Sequence, residues 1–222
     1  MNKVFAALIC VSLMGCKAPE STPEPSLGYE FYPLVVSNYN VYRVNGRIMH
    51  ATLDSLYAYE VMELVAESYE EGNENVYVLE KYIRPLSSVN WPDMPDTVQA
   101  VRMVNNQLIL TENNKPLVKL VFPAREGRRW NGNALTTEAE DYYTMKDLNQ
   151  TYQIGNQSYS PTVVVEQSSD TTNRIRRDKR FEVYAGNIGL LYQYSEMLSL
   201  DFSSGDTLNA AIYTKEYLYG SR

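Results

Sequence analysis

The chain is poor in the residues that most enzyme chemistry draws on. Its 222 residues include two cysteines, Cys10 and Cys16, and one histidine, His50. That supply argues against zinc clusters, a cysteine nucleophile and a disulfide framework. Basic residues are short as well, with 20 Lys and Arg against 27 Asp and Glu and a formal net charge of -7. A nucleic-acid partner is therefore not expected, because binding one needs a cationic face to displace counterions from phosphates. The chain lacks a Gly-x-Ser-x-Gly elbow, a calcium loop, a P-loop and a dinucleotide fingerprint, so no metal and no cofactor is implied. What is present, 44% hydrophobic and 12% aromatic residues with 19 tyrosines, is an ordinary globular composition. One domain is the expectation at this length.

The N-terminus carries the most specific signal. Met1-Asn2-Lys3 is followed by a mostly apolar run from Val4 to Met14, the charged and apolar regions of a secretory signal. The run is about half the roughly 20 residues that a membrane-spanning helix needs. Leu13-Met14-Gly15-Cys16 resembles the bacterial lipobox, in which the cysteine is acylated and becomes the mature N-terminus. Residues 1–15 are then a signal peptide and Cys16 is the lipidation site. More than one acyl chain, at about 0.8 kcal/mol per buried CH2, gives stable membrane anchoring. Residues 16–27 hold three prolines among small and acidic residues, the composition of an extended tether. Lys17 follows the cysteine instead of Asp, so the inner-membrane retention signal is absent and the outer membrane is expected, with its leaflet left open.

Beyond residue 28 the pattern is β. Short runs of β-branched and aromatic residues alternate with Asn, Gly, Asp and Glu clusters, the signature of antiparallel strands. Strands are read at Val76 to Tyr82, Gln99 to Val104, Gln107 to Thr111, Leu117 to Phe122, Thr162 to Gln167, Arg180 to Ala185, Leu190 to Leu198 and Ala210 to Leu218. Asn105-Asn106 and Asn113-Asn114 break the run between them. Asn45-Gly46, flanked by Val41 to Val44 and Ile48, reads as a hairpin turn. Leu53 to Tyr69 mixes high helix propensity with strand alternation and is read as a long strand. A short helix is allowed at Thr136 to Tyr143, where Thr137 and Glu140 form a weak capping box. The expected fold is mainly β: one domain over 28–222 with a single antiparallel, curved sheet or half-barrel and at most one or two short helices.

Three stretches are similar to a group of Bacteroidetes outer-membrane lipoproteins that has no established activity. They are Tyr32-Pro33-Leu34 leading to Asn38, Asn40 and Tyr42; Lys119 to Pro123 followed by Trp130-Asn131-Gly132-Asn133; and Tyr184-Ala185 followed by Gly189-Leu190-Leu191-Tyr192. Ser37 and Asn40 stand where Gly and Trp are usual in that group. The resemblance implies an antiparallel sheet and, by analogy with lipoprotein carriers, curvature around an apolar face.

Candidate sites are few. Trp130, Asn131 and Asn133 combine an aromatic face with amide groups that could stack on and hydrogen-bond a sugar or peptide. The same residues also suit a turn in which the Asn side chains cap backbone, Gly132 takes a positive φ and Trp130 plugs the core. Glu138, Glu140 and Asp141 could supply the carboxylate pair of a glycoside hydrolase. His50 reads as a solvated strand-end residue. Arg174 to Arg180 is the one basic cluster, either a charged loop or a docking point for phosphates or an acidic partner. The sequence thus reads as a lipid-anchored, non-catalytic binding module of the cell envelope. Its ligand would be apolar or a glycan, held near Trp130. The alternatives are an assembly subunit partnered by an envelope protein and, third, a carboxylate-dependent hydrolase.

Overall fold

The computed structural model describes residues 26–221. The signal segment 1–15, Cys16 and the tether up to residue 25 lie outside the described residues. A 3-10 turn at Tyr29–Phe31 opens the domain, and twelve strands follow. They are β1 (Tyr39–His50), β2 (Leu53–Glu71), β3 (Glu74–Pro85), β4 (Thr97–Val104), β5 (Gln107–Glu112), β6 (Lys115–Val121), β7 (Arg129–Asn131), β8 (Tyr142–Ile154), β9 (Gln157–Asp170), β10 (Arg176–Ala185), β11 (Gly189–Leu200) and β12 (Thr207–Gly220). All pair antiparallel in one sheet of order β6-β5-β4-β3-β2-β1-β12-β11-β10-β9-β8-β7. The first and last strands therefore lie side by side in the middle of the sheet, with one meander running outward on each side.

The turns follow from residue chemistry. Asn105-Asn106 and Asn113-Asn114 each take φ of 49° and 61°, the paired positive φ that a two-residue hairpin turn requires and that Asn tolerates. Leu53 to Tyr69 is strand throughout, inside β2. Two local expectations are corrected. Asn45-Gly46 is no turn: β1 runs straight through it, with Gly46 opposite Tyr213 and Tyr57. Gly46 leaves room for the Tyr57 ring, which a Cβ would meet at 2.2 Å and which would have to shift. Thr136 to Tyr143 is no helix. Asn131 Oδ1 accepts from the backbone N–H groups of Asn133 and Asp141, both at 3.0 Å. Thr136 Oγ1 donates to the Asn133 carbonyl. Such side-chain bonds offer the backbone an alternative to the helix, and Tyr142 and Tyr143 begin β8 instead.

The sheet curls until its edges meet as a nearly closed barrel. At the seam the Val118 N–H donates to the Gly132 carbonyl, and Trp130 Nε1 donates back to the Val118 carbonyl, both at 2.9 Å. Closure in this way removes the exposed edges that invite aggregation. Phe31, Leu79, Leu108, Phe122 and Met145 belong to the apolar cluster inside, which Phe31 joins from the 3-10 turn. The β8–β9 hairpin breaks register between Lys146 and Gln150. Its Tyr152 reaches Tyr192 and its Tyr159 reaches Tyr217, with ring centroids 6.0 and 6.1 Å apart. Val183 and Leu191 are buried in the smaller cluster formed with that hairpin.

Candidate functional site

Strand alternation places a layer of charge inside the barrel above the apolar cluster. From β2, Glu63 accepts from Lys215 Nζ of β12 at 2.6 Å and lies 3.4 Å from Lys81 Nζ of β3. From β10, Glu182 accepts from Lys119 Nζ of β6 at 2.5 Å and from the Tyr184 hydroxyl at 2.6 Å. Lys119 is the unpaired residue of a bulge, skipped between the pairs Leu108 with Leu120 and Ile109 with Val118. A bulge re-aims a side chain in this way. The Lys215 ammonium also sits 4.1 Å from the Tyr42 ring centroid.

These groups surround a chamber of about 210 Å³, whose lining includes Gln99, Lys81, Glu112, Lys119, Glu182 and Lys215. Gln99 is 2% exposed, and neither its Nε2 nor its Oε1 has a hydrogen-bond partner among the described residues. A buried amide of that kind costs about 1 to 3 kcal/mol unless something bonds it. Three lysines and three glutamates line the chamber, so its formal charge balances. Burial works to raise the Glu63 and Glu182 carboxyls. The neighbouring lysines outweigh it, with Tyr184 helping at Glu182, and hold both below the usual carboxylate value. Burial likewise moves Lys215 below its ordinary value, against the pull of Glu63.

Beyond the chamber the strands end at different heights, and the low side leaves a mouth. Pairing of β4 to β3 ends at Lys81 with Thr97, whereas β1 and β2 stay paired to His50 with Leu53. The wall is therefore lower at β4 than at β1, β2 and β12, with β11 still paired to β12 at Ser199 with Asn209. Val44 lies opposite both Lys215 and Tyr59, and Gly46 opposite both Tyr213 and Tyr57. Directly opposed residues share a face, and every second residue returns to it. Lys215 points inward, so Tyr59, Tyr57 and Tyr213 line the inner face of the extension. Tyr57 and Tyr59 stack at 6.0 Å and 17°. Burial, Tyr59, Glu63 and Tyr57 all raise the Tyr213 phenol, and the register sets Tyr213 level with Tyr57 across Gly46.

Trp130, Asn131 and Asn133 lie elsewhere, in the barrel wall. Trp130 is 9% exposed, edge-on to Tyr143 at 5.9 Å, with its indole N–H given to the seam. The Asn131 side chain holds the loop backbone, and Asn133 Nδ2 donates to the Ala139 carbonyl. Gly132 is not among the positive-φ residues. It accommodates the Tyr143 ring, which a Cβ would meet at 2.4 Å. The Asp141 carboxylate takes two bonds from Arg180, at 2.9 and 3.2 Å, while Glu138 pairs with Lys115. His50 is exposed at the end of β1. Of the basic cluster, Arg176 to Arg180 lies in β10 with Arg176 and Arg180 both on Asp178, and Arg174 covers the Phe202 ring at 4.6 Å. No group of three or more His, Cys, Asp or Glu side chains suited to a metal ion occurs among the described residues.

Sequence reasoning missed Glu63, Gln99, Lys119, Glu182 and Lys215. The available signal was polar residues at inward-facing positions of otherwise apolar strands, as in Val78-Leu79-Glu80-Lys81 and Phe181-Glu182-Val183.

No protein-family model matches the chain, and no curated protein matches it. Two solved structures are similar in fold at low identity. One is a Bacteroides fragilis protein proposed to be exported, with a YmcC-like fold. It is 12% identical with a TM-score of 0.45, over 86% of this chain and 99% of that one. The other is a proposed lipoprotein of Parabacteroides distasonis, 11% identical with a TM-score of 0.41, over 86% of this chain and 98% of that one.

Proposed function

We propose that this chain is a lipid-anchored envelope protein that binds a polar ligand in the barrel chamber, without catalysing its conversion. The observation that carries the reading is Gln99: a buried amide with both polar atoms free, facing a cavity lined by ion pairs. A barrel built only for stability would place an apolar side chain there, because an unmatched buried amide costs free energy. The lipobox at Leu13 to Cys16 supports export and acylation, and the tether composition supports a domain held off the membrane. The outer membrane is the proposed location. Native mass spectrometry of the full chain, released gently from a bacterial envelope, tests the binding. The expected result is a stoichiometric polar adduct that Gln99→Leu protein lacks; the same bare mass for both proteins would overturn it. Incorporation of labelled palmitate into wild type but not Cys16→Ser protein tests the anchor.

An assembly role is the second reading, favoured by large apolar side chains standing in solvent. Leu56 is 80%, Val89 85% and Met94 77% exposed. Cross-linking in intact envelopes would capture a fixed-stoichiometry partner at these positions, and unreacted monomer alone would count against it.

A further inference from the structure

Resting on the chamber reading, we infer that the ligand is the end of an uncharged oligosaccharide, with sugar rings on Tyr57, Tyr59 and Tyr213 and hydroxyls on Gln99. Charge is the first argument. The chamber's three lysines face three glutamates, and Glu63 and Glu182 are already engaged by Lys215, Lys81 and Lys119. An added anion or cation would meet groups of its own sign as well as of the opposite one, whereas a neutral polyol can use both the donors and the acceptors. A free amide that can donate and accept together suits a hydroxyl, which does the same.

The second argument separates a sugar from an acyl chain. Apolar tails gain by burial against apolar walls, but here the wall beyond the mouth holds ionised side chains and an unbonded amide whose desolvation a tail could not repay. Tyrosine faces with hydroxyl tips suit an amphipathic, wet ligand. The mouth offers three of them on the inner face of β2 and β12, each half-buried.

Orientation is the third. The described chain enters at Ser26 and Leu27, where the Leu27 carbonyl accepts from Ala124 N–H beside the 3-10 turn. The strand β1 leads from that end to His50 at the mouth. The mouth therefore lies at the end of the barrel opposite to the anchored terminus, away from where a bilayer lipid would be handed in.

The test uses the full chain in lipid nanodiscs, with saturation-transfer NMR and titration of four probes: maltohexaose, chitohexaose, an oligogalacturonate and dodecanoate. Expected is binding of at least one neutral hexasaccharide. It should weaken at least tenfold in Tyr59→Ala and in Tyr213→Ala, and be lost in Gln99→Leu, with melting temperatures near wild type. Gly46→Ala, whose Cβ would push first on the Tyr57 ring, gives a second variant should either tyrosine change unfold the domain. Oligogalacturonate binding without neutral-sugar binding would overturn the neutral-glycan inference and leave the chamber reading standing. Neutral-sugar binding lost in Gln99→Leu but untouched by the tyrosine and Gly46 variants would overturn the tyrosine platform alone. Dodecanoate binding alone, or no binding by any probe, would overturn both.

Discussion

Lys119 and Glu182 meet across the barrel, 2.5 Å apart, joining edge strand β6 to the opposite wall at β10. Glu182 is 2% exposed, so deleting its partner strands a buried charge, an effect of about 3 to 5 kcal/mol. Lys119→Met is expected to lower stability by that amount in urea unfolding. The double variant Lys119→Met, Glu182→Gln should recover much of the loss, because no charge is left unpaired. A double variant as unstable as the sum of the singles would show that the pair does not act as a unit.

Acid should unfold this protein through the same layer. Glu63 and Glu182 are held below the ordinary carboxylate value of 4.5. A carboxyl whose folded pKa is depressed adds stability that is fully present above the unfolded value and lost as pH falls through the folded one. Urea midpoints should therefore stay level from neutral pH down to about 4.5 and drop below it. Glu182→Gln should make that drop shallower.

Trp130 tests the seam. Its indole is buried and bonds the Val118 carbonyl, and truncating a buried Trp costs about 3 to 5 kcal/mol. Trp130→Ala is expected to lower the melting temperature markedly in a thermal scan. A variant that melts like wild type and fails only in ligand binding would instead make Trp130 a contact residue.

Two glycines under tyrosine rings should respond unequally. A Cβ at Gly132 meets Tyr143, which is 5% exposed and locked between Trp130 and the core; a Cβ at Gly46 meets Tyr57, half-buried at the mouth. Overpacking costs about 1 to 3 kcal/mol where the neighbour cannot move and less where it can. Gly132→Ala should be clearly destabilised and Gly46→Ala nearly neutral in paired chemical unfolding experiments.

The fold was legible because its signals are local. Alternation in β4 to β6 and β9 to β12, and the Asn-Asn turns between β4, β5 and β6, needed no tertiary knowledge. The failures share one physical origin, since each turned on a side-chain contact that the local pattern does not show. Gly46 reads as a turn residue until Tyr57 and Tyr213 are known to flank it, and Thr136 to Tyr143 reads as a helix until Asn131 claims its backbone. The site was harder still. Lys119, Glu182 and Lys215 look like ordinary polar positions of half-solvated strands, and only curvature of the sheet turns one face into an interior. Trp130 was conspicuous as a residue type, yet its indole N–H serves the wall.

The pairing of β1 with β12 sets an order on assembly. Tyr39 N–H donates to Ser221 Oγ at 2.8 Å across 182 residues of chain, so the central ladder joins the first strand to the last. Each meander can form from neighbours in sequence, but the barrel cannot close until the final strand has emerged. Contacts of such long separation are slow to form and leave unpaired edges exposed meanwhile. A chain delivered through a membrane N-terminus first would present the bare edge of β1 for nearly the whole of its passage. Removing β12 would leave the facing edges of β1 and β11 without their partner.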